Sequence, residues 1–281
     1  MKIIRARTAG FCMGVSLALR KLDREVTENN APIATLGPII HNPQVMAHYE
    51  GRGVRCLRDT TQVMPGQRVV IRAHGIPVAE EAALKATGAS VVDATCPKVK
   101  RAQLGIAEER GRGGTLLLFG EADHPEVRGL LSYAGEGAMV FGSLDELKSL
   151  PLRDDVDYFL AAQTTQDRAA FEDVVAWLRQ RLGREMPVLQ TICDATRKRQ
   201  QEAVDIARRV EAMVVVGGFD SGNTRRLADV ARAQGVFTVH VETVDQLPVD
   251  ELRKKSTIGL TAGASTPKSL IDAVQRFLES L

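Results

Sequence analysis

Three cysteines occupy similar positions along this sequence. Each follows a short apolar stretch that we predict to be a strand, and each opens a predicted helix: Cys12 after 2–6, Cys96 after 90–94 and Cys193 after 187–191. The cysteines are separated by stretches of similar length, and a further such stretch follows the last one. The pattern predicts three α/β units, each of which presents one thiol at a strand-to-helix junction.

The chemistry of these three thiols points to a metal cluster. The positive end of a helix favours a thiolate. Three thiolates at a shared centre suit an iron–sulfur cube with one iron open to substrate, as in catalytic zinc sites with an open position. The alternatives are three buried small side chains, or zinc, although the C-x-x-C pairs typical of zinc sites are missing. The fourth cysteine, Cys56, is predicted to pack in the core.

Histidines follow several predicted strands. His41, His74 and His124 lie beside glycine or proline, with Glu126 close behind, whereas His48 and His240 are predicted to be structural. Imidazoles with a carboxyl group suit recognition of an anionic substrate and delivery of a proton. The alternative is that these three histidines are turn and cap residues.

Three polar loops complete the candidate set. The loops at 220–226 (DSGNTRR) and 261–267 (TAGASTP) place hydroxyl and amide groups where helices are predicted to begin. Phosphate groups bind at such positions because the helix N-terminus offers unpaired N–H groups. In QTT (163–165), Thr164 either passes a proton or holds a water, or it caps the following helix.

Alternating strands and helices must position these residues. Short runs rich in Val, Ile and Leu predict strands at 2–6, 32–37, 68–73, 90–94, 114–120, 157–162, 187–191, 213–218, 236–241 and 257–262. Helical patterns predict helices at 14–29, 79–87, 98–110, 167–182, 195–211, 223–234 and 267–280. The alternation predicts an α/β fold with doubly wound, mainly parallel sheets, in which ligands bind at the carboxyl ends of the strands. We expect three units at 14–96, 97–193 and 194–281, with 1–13 joining the third.

Composition excludes several classes of protein. The 281 residues are 44% apolar and 26% charged, with a net charge of +2 and only 4% aromatic residues. Such a balance argues against a nucleic-acid-binding or membrane-surface protein. We see neither a secretory signal nor an apolar run approaching the ~20 residues that span a bilayer. We therefore expect a cytoplasmic protein without disulfides.

The ordered motifs resemble one enzyme family. AGFCMGV, AHG, DATCPKV, HPEV, QTT, ICDAT, SGN and TAGAST occur in this order over nearly the whole chain. Together they resemble the 4-hydroxy-3-methylbut-2-enyl diphosphate reductases, which complete the methylerythritol phosphate route to isoprenoids. Each motif alone is weak, but the ordered set is specific.

The resemblance implies a fold, a cofactor and a reaction. It implies a trefoil of three pseudo-threefold-related α/β units around a [4Fe-4S] cluster held by Cys12, Cys96 and Cys193. The allylic hydroxyl of the substrate would bind the open iron, and two electrons and two protons would remove it as water. It further implies that Glu126 donates the proton and that Thr164 and His124 act beside it. The implied substrate-binding residues, mostly around the diphosphate, are His41, His74, His124, Thr164, Ser221, Gly222, Asn223 and Ser265.

Two positions depart from the family pattern. Gly222 stands where a second serine is usual, so one hydroxyl donor is lost while the backbone N–H remains. A lost hydrogen bond to a charged group costs about 1.5–3 kcal/mol. Asp123 stands where glycine is expected, and its carboxylate either favours protonation of His124 or points to solvent.

Two basic clusters raise the question of an electron donor. They begin the helices that follow Cys96 and Cys193, and comprise Lys98, Lys100, Arg101, Arg197, Lys198 and Arg199. Because cations in a first turn oppose the helix dipole, we predict a docking patch for an acidic carrier such as ferredoxin or flavodoxin. The alternative is a solvated charged face. Two competing functions are a redox or iron sensor and a cluster-dependent dehydratase that needs no electron donor.

Overall fold

The computed structural model describes residues 1–28 and 31–281, in which strands and helices alternate. By their internal contacts these residues divide into two compact units: 1–16, 40–47 and 194–281 form the first, and 17–39 and 48–193 form the second. All strand pairs among the described residues are parallel.

The first unit contains one four-stranded sheet. Its strands are β1 (Lys2–Arg5), β9 (Ala212–Val216), β10 (Phe237–Val241) and β11 (Thr257–Ala262), in the order β1-β11-β9-β10. The helices are α8 (Asp194–Ala207), α9 (Gly222–Arg232), α10 (Val249–Leu252) and α11 (Lys268–Glu279). Residues of β9 alternate between the two faces: Val214 packs with α11, and Val215 packs with α8 and α9. Helices thus cover both faces, as the apolar strands predict.

The second unit contains two sheets. The strands of one are β2 (Ile33–Leu36), β3 (Arg55–Leu57), β4 (Arg68–Ile71) and β5 (Ser90–Asp93), in the order β3-β2-β4-β5. The strands of the other are β6 (Thr115–Phe119), β7 (Met139–Phe141) and β8 (Tyr158–Ala162), in the order β7-β6-β8. The helices of this unit are α3 (Val78–Ala86), α4 (Pro97–Gly111), α5 (Pro125–Ala134), α6 (Leu144–Ser149) and α7 (Arg168–Leu182). Helices α1 (Met13–Glu28) and α2 (Pro43–Glu50) have residues in both units.

The predicted fold class is confirmed, since three parallel sheets are combined with helices. Each of the three predicted segments supplies a sheet, and β1 pairs with β11, from Lys2 beside Thr257 onward. The exact boundaries of the three predicted units stay a prediction. The helix predicted at 14–29 is α1, and position 29 lies outside the described residues. No helix in the described part of the chain is both long and apolar enough to cross a membrane.

One predicted strand is wrong. The segment 187–191 forms only a single parallel bridge, between Val188 and Leu160. The ladder stops there because the hydroxyl of Thr191 takes the place of a backbone partner. It accepts from the N–H of Ala162 at 2.8 Å and donates to the carbonyl of Ala162 at 2.6 Å. Cys193 therefore follows an irregular segment rather than a strand.

Candidate active site

Cys96 lies at a strand-to-helix junction in the second unit, as predicted. It is the N-cap of α4, and Pro97 occupies the first turn, where its missing N–H costs nothing. The N–H of Cys96 donates to the carbonyl of Ala73 at 2.9 Å. The cysteine is thereby fixed beside the residue that precedes His74.

A tight turn presents His74. Gly75 has φ +72°, and a Cβ there would lie 2.8 Å from Nε2 of Gln103. The N–H of Gly75 donates to the carbonyl of Arg72 at 3.0 Å, and Nε of Arg72 donates to the carbonyl of Gly75 at 3.3 Å. Arg72 stabilises the turn by these hydrogen bonds and Gln103 lies against it, and no pattern in the sequence identifies either residue. The ring of His74 meets that of His124 edge-on, with centroids 5.4 Å apart.

His124 has a fixed orientation because it caps α5. Its Nδ1 accepts a hydrogen bond from the N–H of Glu126 at 3.1 Å. An accepting Nδ1 in a neutral imidazole leaves the proton on Nε2. His124 is therefore both a cap, which was the alternative considered from the sequence, and a donor at Nε2.

Glu126 is held by Thr164. Glu126 is only 2% exposed. Its Oε1 accepts from the N–H of Thr164 at 2.6 Å, and Oε2 accepts from the Thr164 hydroxyl at 2.9 Å. Thr164 does not cap α7, because Asp167 does so by accepting from the N–H of Ala170.

Burial changes the acid–base behaviour of Glu126. Removal from water raises the pKa of its carboxyl group from 4.5 to about 7, and the two hydrogen bonds from Thr164 oppose this rise. At neutral pH the group is therefore present in both protonation states. It can hold and release a proton, which an ordinary surface glutamate cannot do near pH 7.

Backbone contacts extend this set to Cys193, the other predicted cluster ligand in this unit. The carbonyl of Thr164 accepts from the N–H of Cys193 at 3.0 Å. Within the unit, a continuous series of contacts thus runs from Cys96 through the His74 turn, His124, Glu126 and Thr164 to Cys193.

The first unit holds Cys12 in the segment between β1 and α1. Its N–H donates to the carbonyl of Ala264 at 3.2 Å, and its Sγ accepts from the N–H of Val15 at 3.4 Å. The next residue after Ala264 is Ser265, whose hydroxyl donates to the carbonyl of His41 at 3.0 Å. Cys12 is thus hydrogen-bonded to the loop that carries Ser265.

Ser221, Asn223 and Ser265 form a buried polar group in the first unit. The two serine hydroxyls lie 3.5 Å apart, and Ser221 is the N-cap of α9, with Gly222 as its first residue. Asn223 is 8% exposed, and its Nδ2 has no hydrogen-bond partner among the described residues. A buried amide donor without a partner is costly unless a ligand accepts from it. Hydroxyls, an amide and free N–H groups at a helix N-terminus fit a phosphate.

The donor set at the three predicted ligand positions fits an iron–sulfur cluster. Cys12, Cys96 and Cys193 form no disulfide, each is partly buried, and each directly precedes a helix. Cysteine sulfurs are the usual ligands of such clusters. The core position predicted for Cys56 is wrong: it is exposed, because β3 is an edge strand in which only Leu57 is buried.

Two further expectations change with the structure. Arg199, assigned to the docking patch, is 4% exposed and donates from Nη2 to the carbonyl of Gly10 at 2.5 Å, so it is unavailable to a partner. Arg197, Lys198 and Arg101 remain exposed, whereas Lys98 and Lys100 are half-buried. Asp123 points to solvent and lies 3.7 Å from Arg128.

A family model and two curated relatives match nearly the whole of this chain. The model of the family described as "LytB protein" matches residues 3–279. A protein of Nitratidesulfovibrio vulgaris (strain DSM 19637 / Miyazaki F), named 4-hydroxy-3-methylbut-2-enyl diphosphate reductase, is 95% identical over the full length of both chains. A protein of the same name from Pelobacter propionicus is 43% identical over 98% of this chain and 96% of its own.

Two solved structures are similar to this chain over its full length. The structure of E-1-hydroxy-2-methyl-but-2-enyl-4-diphosphate reductase from Plasmodium falciparum has a TM-score of 0.94 at 26% identity, covering 100% of this chain and 87% of its own. A second structure has a TM-score of 0.69 at 36% identity and covers 100% and 99%. It is described as (E)-4-hydroxy-3-methyl-but-2-enyl diphosphate reductase, the terminal enzyme of the non-mevalonate pathway.

Proposed function

The chain belongs to the LytB family, and on that premise we propose that it reduces (E)-4-hydroxy-3-methylbut-2-enyl diphosphate. Two electrons and two protons remove the allylic hydroxyl as water and leave isopentenyl diphosphate or dimethylallyl diphosphate. One proton leaves in the water, and the other forms the new C–H bond. The observation that carries the proposal is the buried Glu126 carboxyl group, which Thr164 holds and whose pKa is about 7.

We propose a [4Fe-4S] cluster as the cofactor, with Cys12, Cys96 and Cys193 as its ligands. When bound, the cluster supplies the electrons that break the C–O bond. Three partly buried cysteines that form no disulfide and that each precede a helix support this assignment. A reducing compartment keeps such thiols available, and we propose the cytoplasm.

Glu126 and Thr164 supply the proton. When the carboxyl group is protonated at Oε2, it donates to Oγ1 of Thr164, 2.9 Å away. The hydroxyl hydrogen of Thr164 is then free to turn toward the substrate. A proton lost from Thr164 is replaced from Glu126, so the pair acts as a short relay from a buried acid.

Donors in each unit bind the diphosphate. In the second unit, Nε2 of His124 donates, and His74 lies against its ring. In the first unit the binding groups are His41, Ser221, the N–H of Gly222, Asn223 and Ser265. The buried Nδ2 of Asn223 supports this role, because a phosphate oxygen would give it the acceptor that the protein does not.

The electron donor is an acidic carrier such as ferredoxin or flavodoxin. The exposed cations at the starts of α4 and α8, chiefly Arg101, Arg197 and Lys198, support a docking role. The rate with a protein donor should fall as ionic strength rises, because salt screens the attraction between the charged surfaces. An equal fall with a small neutral reductant would contradict this role.

The test of the proposal is anaerobic reconstitution with iron and sulfide, followed by assay with the substrate. We expect about four irons per chain, and formation of both products only when a reductant is present. Product formation without a reductant would indicate a dehydratase. A loaded cluster that neither responds to substrate nor turns it over would indicate a sensor, and tight zinc binding in place of iron would refute the cofactor.

Variants of the four cysteines provide a matched control. Replacement by serine at Cys12, Cys96 or Cys193 should remove a cluster ligand and lower the iron content. Cys56→Ser should leave iron content and turnover unchanged, because that thiol lies on an exposed edge strand. Loss of iron in Cys56→Ser alone would refute the ligand assignment.

A further inference from the structure

Two side chains of α8 hold the segment that leads from β1 to Cys12. Glu202 accepts from the N–H of Arg7 at 2.8 Å through Oε1 and from the N–H of Thr8 at 2.9 Å through Oε2. The hydroxyl of Thr8 also donates to Oε2, at 2.6 Å. One carboxylate therefore satisfies three donors just beyond the end of the strand.

Arg199 holds the same segment from the other end. Its Nη2 donates to the carbonyl of Gly10 at 2.5 Å, two residues before Cys12. Arg199 and Glu202 are three residues apart, so they lie on the same side of the helix. Gly10 itself turns with φ +110°, where a Cβ would lie 3.4 Å from Cδ1 of Ile271.

This arrangement is costly for an ordinary connection. Arg199 is 4% exposed, and a buried guanidinium requires compensating hydrogen bonds. A loop that served only to join β1 to α1 could leave these backbone groups to water. The cost is explained if the segment 7–10 must be placed exactly, because Cys12 lies only two residues after Gly10.

We infer that Glu202 and Arg199 are positioning residues for Cys12, fixing residues 7–10 and thereby the thiolate that binds the cluster. The inference rests on the proposed function, since it takes Cys12 as a ligand. It assigns a role to Arg199, which the sequence placed in a docking patch. Neighbours of metal ligands that orient them commonly change metal affinity by about 10–100-fold when they are replaced.

Glu202→Gln tests this role with little change in size. The new amide NH₂ faces N–H and hydroxyl donors, so part of the clamp is lost. We expect the amides of Arg7 and Thr8 to exchange hydrogen faster even in protein without the cluster. In reconstituted protein we expect a chelator to remove iron about 10-fold faster, and the EPR spectrum of the reduced cluster to change.

Glu211 offers a matched control in the same unit. It accepts from the N–H of Ser256 at 2.6 Å and from its hydroxyl at 3.1 Å, beside the start of β11. Glu211→Gln therefore loses a comparable clamp where no cysteine follows. Glu211→Gln should speed hydrogen exchange of the Ser256 amide while leaving the rate of iron release and the EPR spectrum as in the wild type. Thr8→Val should change the rate of iron release and the EPR spectrum in the same direction as Glu202→Gln does. Thr8→Ser should restore both to the wild-type result.

The outcomes separate this inference from the proposed function. If the wild type holds about four irons and Glu202→Gln releases them at the same rate with the same spectrum, the positioning role is wrong and the cofactor stands. Equal changes in Glu211→Gln would also refute it, since they would reflect general stability. If the wild type binds no iron under any condition, the cofactor is wrong and the positioning role falls with it.

Discussion

Replacement of Glu126 by glutamine should make the protein more stable at high pH while abolishing most of its activity. Glutamine keeps the size of the side chain. Its carbonyl can accept from the N–H of Thr164, and its NH₂ group can donate to the Thr164 hydroxyl. The variant therefore removes the titrating group with little loss of hydrogen bonding.

The magnitude follows from the position of the pKa. In the unfolded chain the carboxyl group titrates near its ordinary pKa of 4.5, and in the native protein the pKa is about 7. Between these values the native state keeps a proton that the unfolded state has released, so the free energy of unfolding falls as pH rises. The gap corresponds to about 3 kcal/mol, and Glu126→Gln avoids this loss.

Denaturant unfolding of the cluster-free wild type and variant measures the effect. The two stabilities should differ by a constant amount below about pH 4.5 and then diverge up to about pH 7, reaching up to ~3 kcal/mol in favour of the variant. A difference that stays constant from pH 4 to pH 8 would show that Glu126 is not a buried acid with a raised pKa.

The same variant has a defined kinetic consequence. Wild-type turnover should decline above about pH 7, because the protonated form of Glu126 is then depleted. General acid catalysis contributes about 10²–10⁴-fold, so turnover by Glu126→Gln should fall by that factor and lose this dependence on pH. Full activity in the variant would refute the role of Glu126 as the acid.

Three further variants test the rest of the site. Thr164→Val removes a hydrogen bond that lowers the pKa of Glu126, so turnover should fall about 10-fold or more and its decline should move to higher pH, with Thr164→Ser restoring both. Gly222→Ser should tighten diphosphate binding, measured by calorimetry, by up to about 1.5–3 kcal/mol, and unchanged affinity would argue against a contact at this position. Gly75→Ala should lower the free energy of unfolding by about 1–2 kcal/mol and raise KM, because φ at this position is +72° and the new Cβ would meet Gln103. A melting temperature equal to that of the wild type would contradict this.

Local patterns in the sequence predicted much of the scaffold. Nine of the predicted strands form, because runs of Val, Ile and Leu with helices between them have few other ways to bury both faces. The ordered motifs identified the family over nearly the whole chain. The exception at 187–191 arises because one threonine side chain replaces a backbone partner, which no apolar pattern reveals.

The residues that could carry the chemistry were also visible in the sequence, but the exposure of two candidate residues was predicted wrongly. Cys56 was predicted to pack in the core, yet it lies exposed on the edge strand β3. Arg199 was predicted to be exposed with its neighbours, but it is buried and donates to the carbonyl of Gly10. Exposure depends on which face of an element meets the core, and that is set by packing.

The sequence by itself therefore determined the family, the parallel α/β elements and the positions of the thiols and polar loops. Only the tertiary structure decided that the carboxyl group of Glu126 is removed from water and held by Thr164, a residue 38 positions away. The physical reason is that desolvation depends on all the atoms packed around a group. No local pattern contains that information, and the raised pKa of Glu126 is its direct consequence.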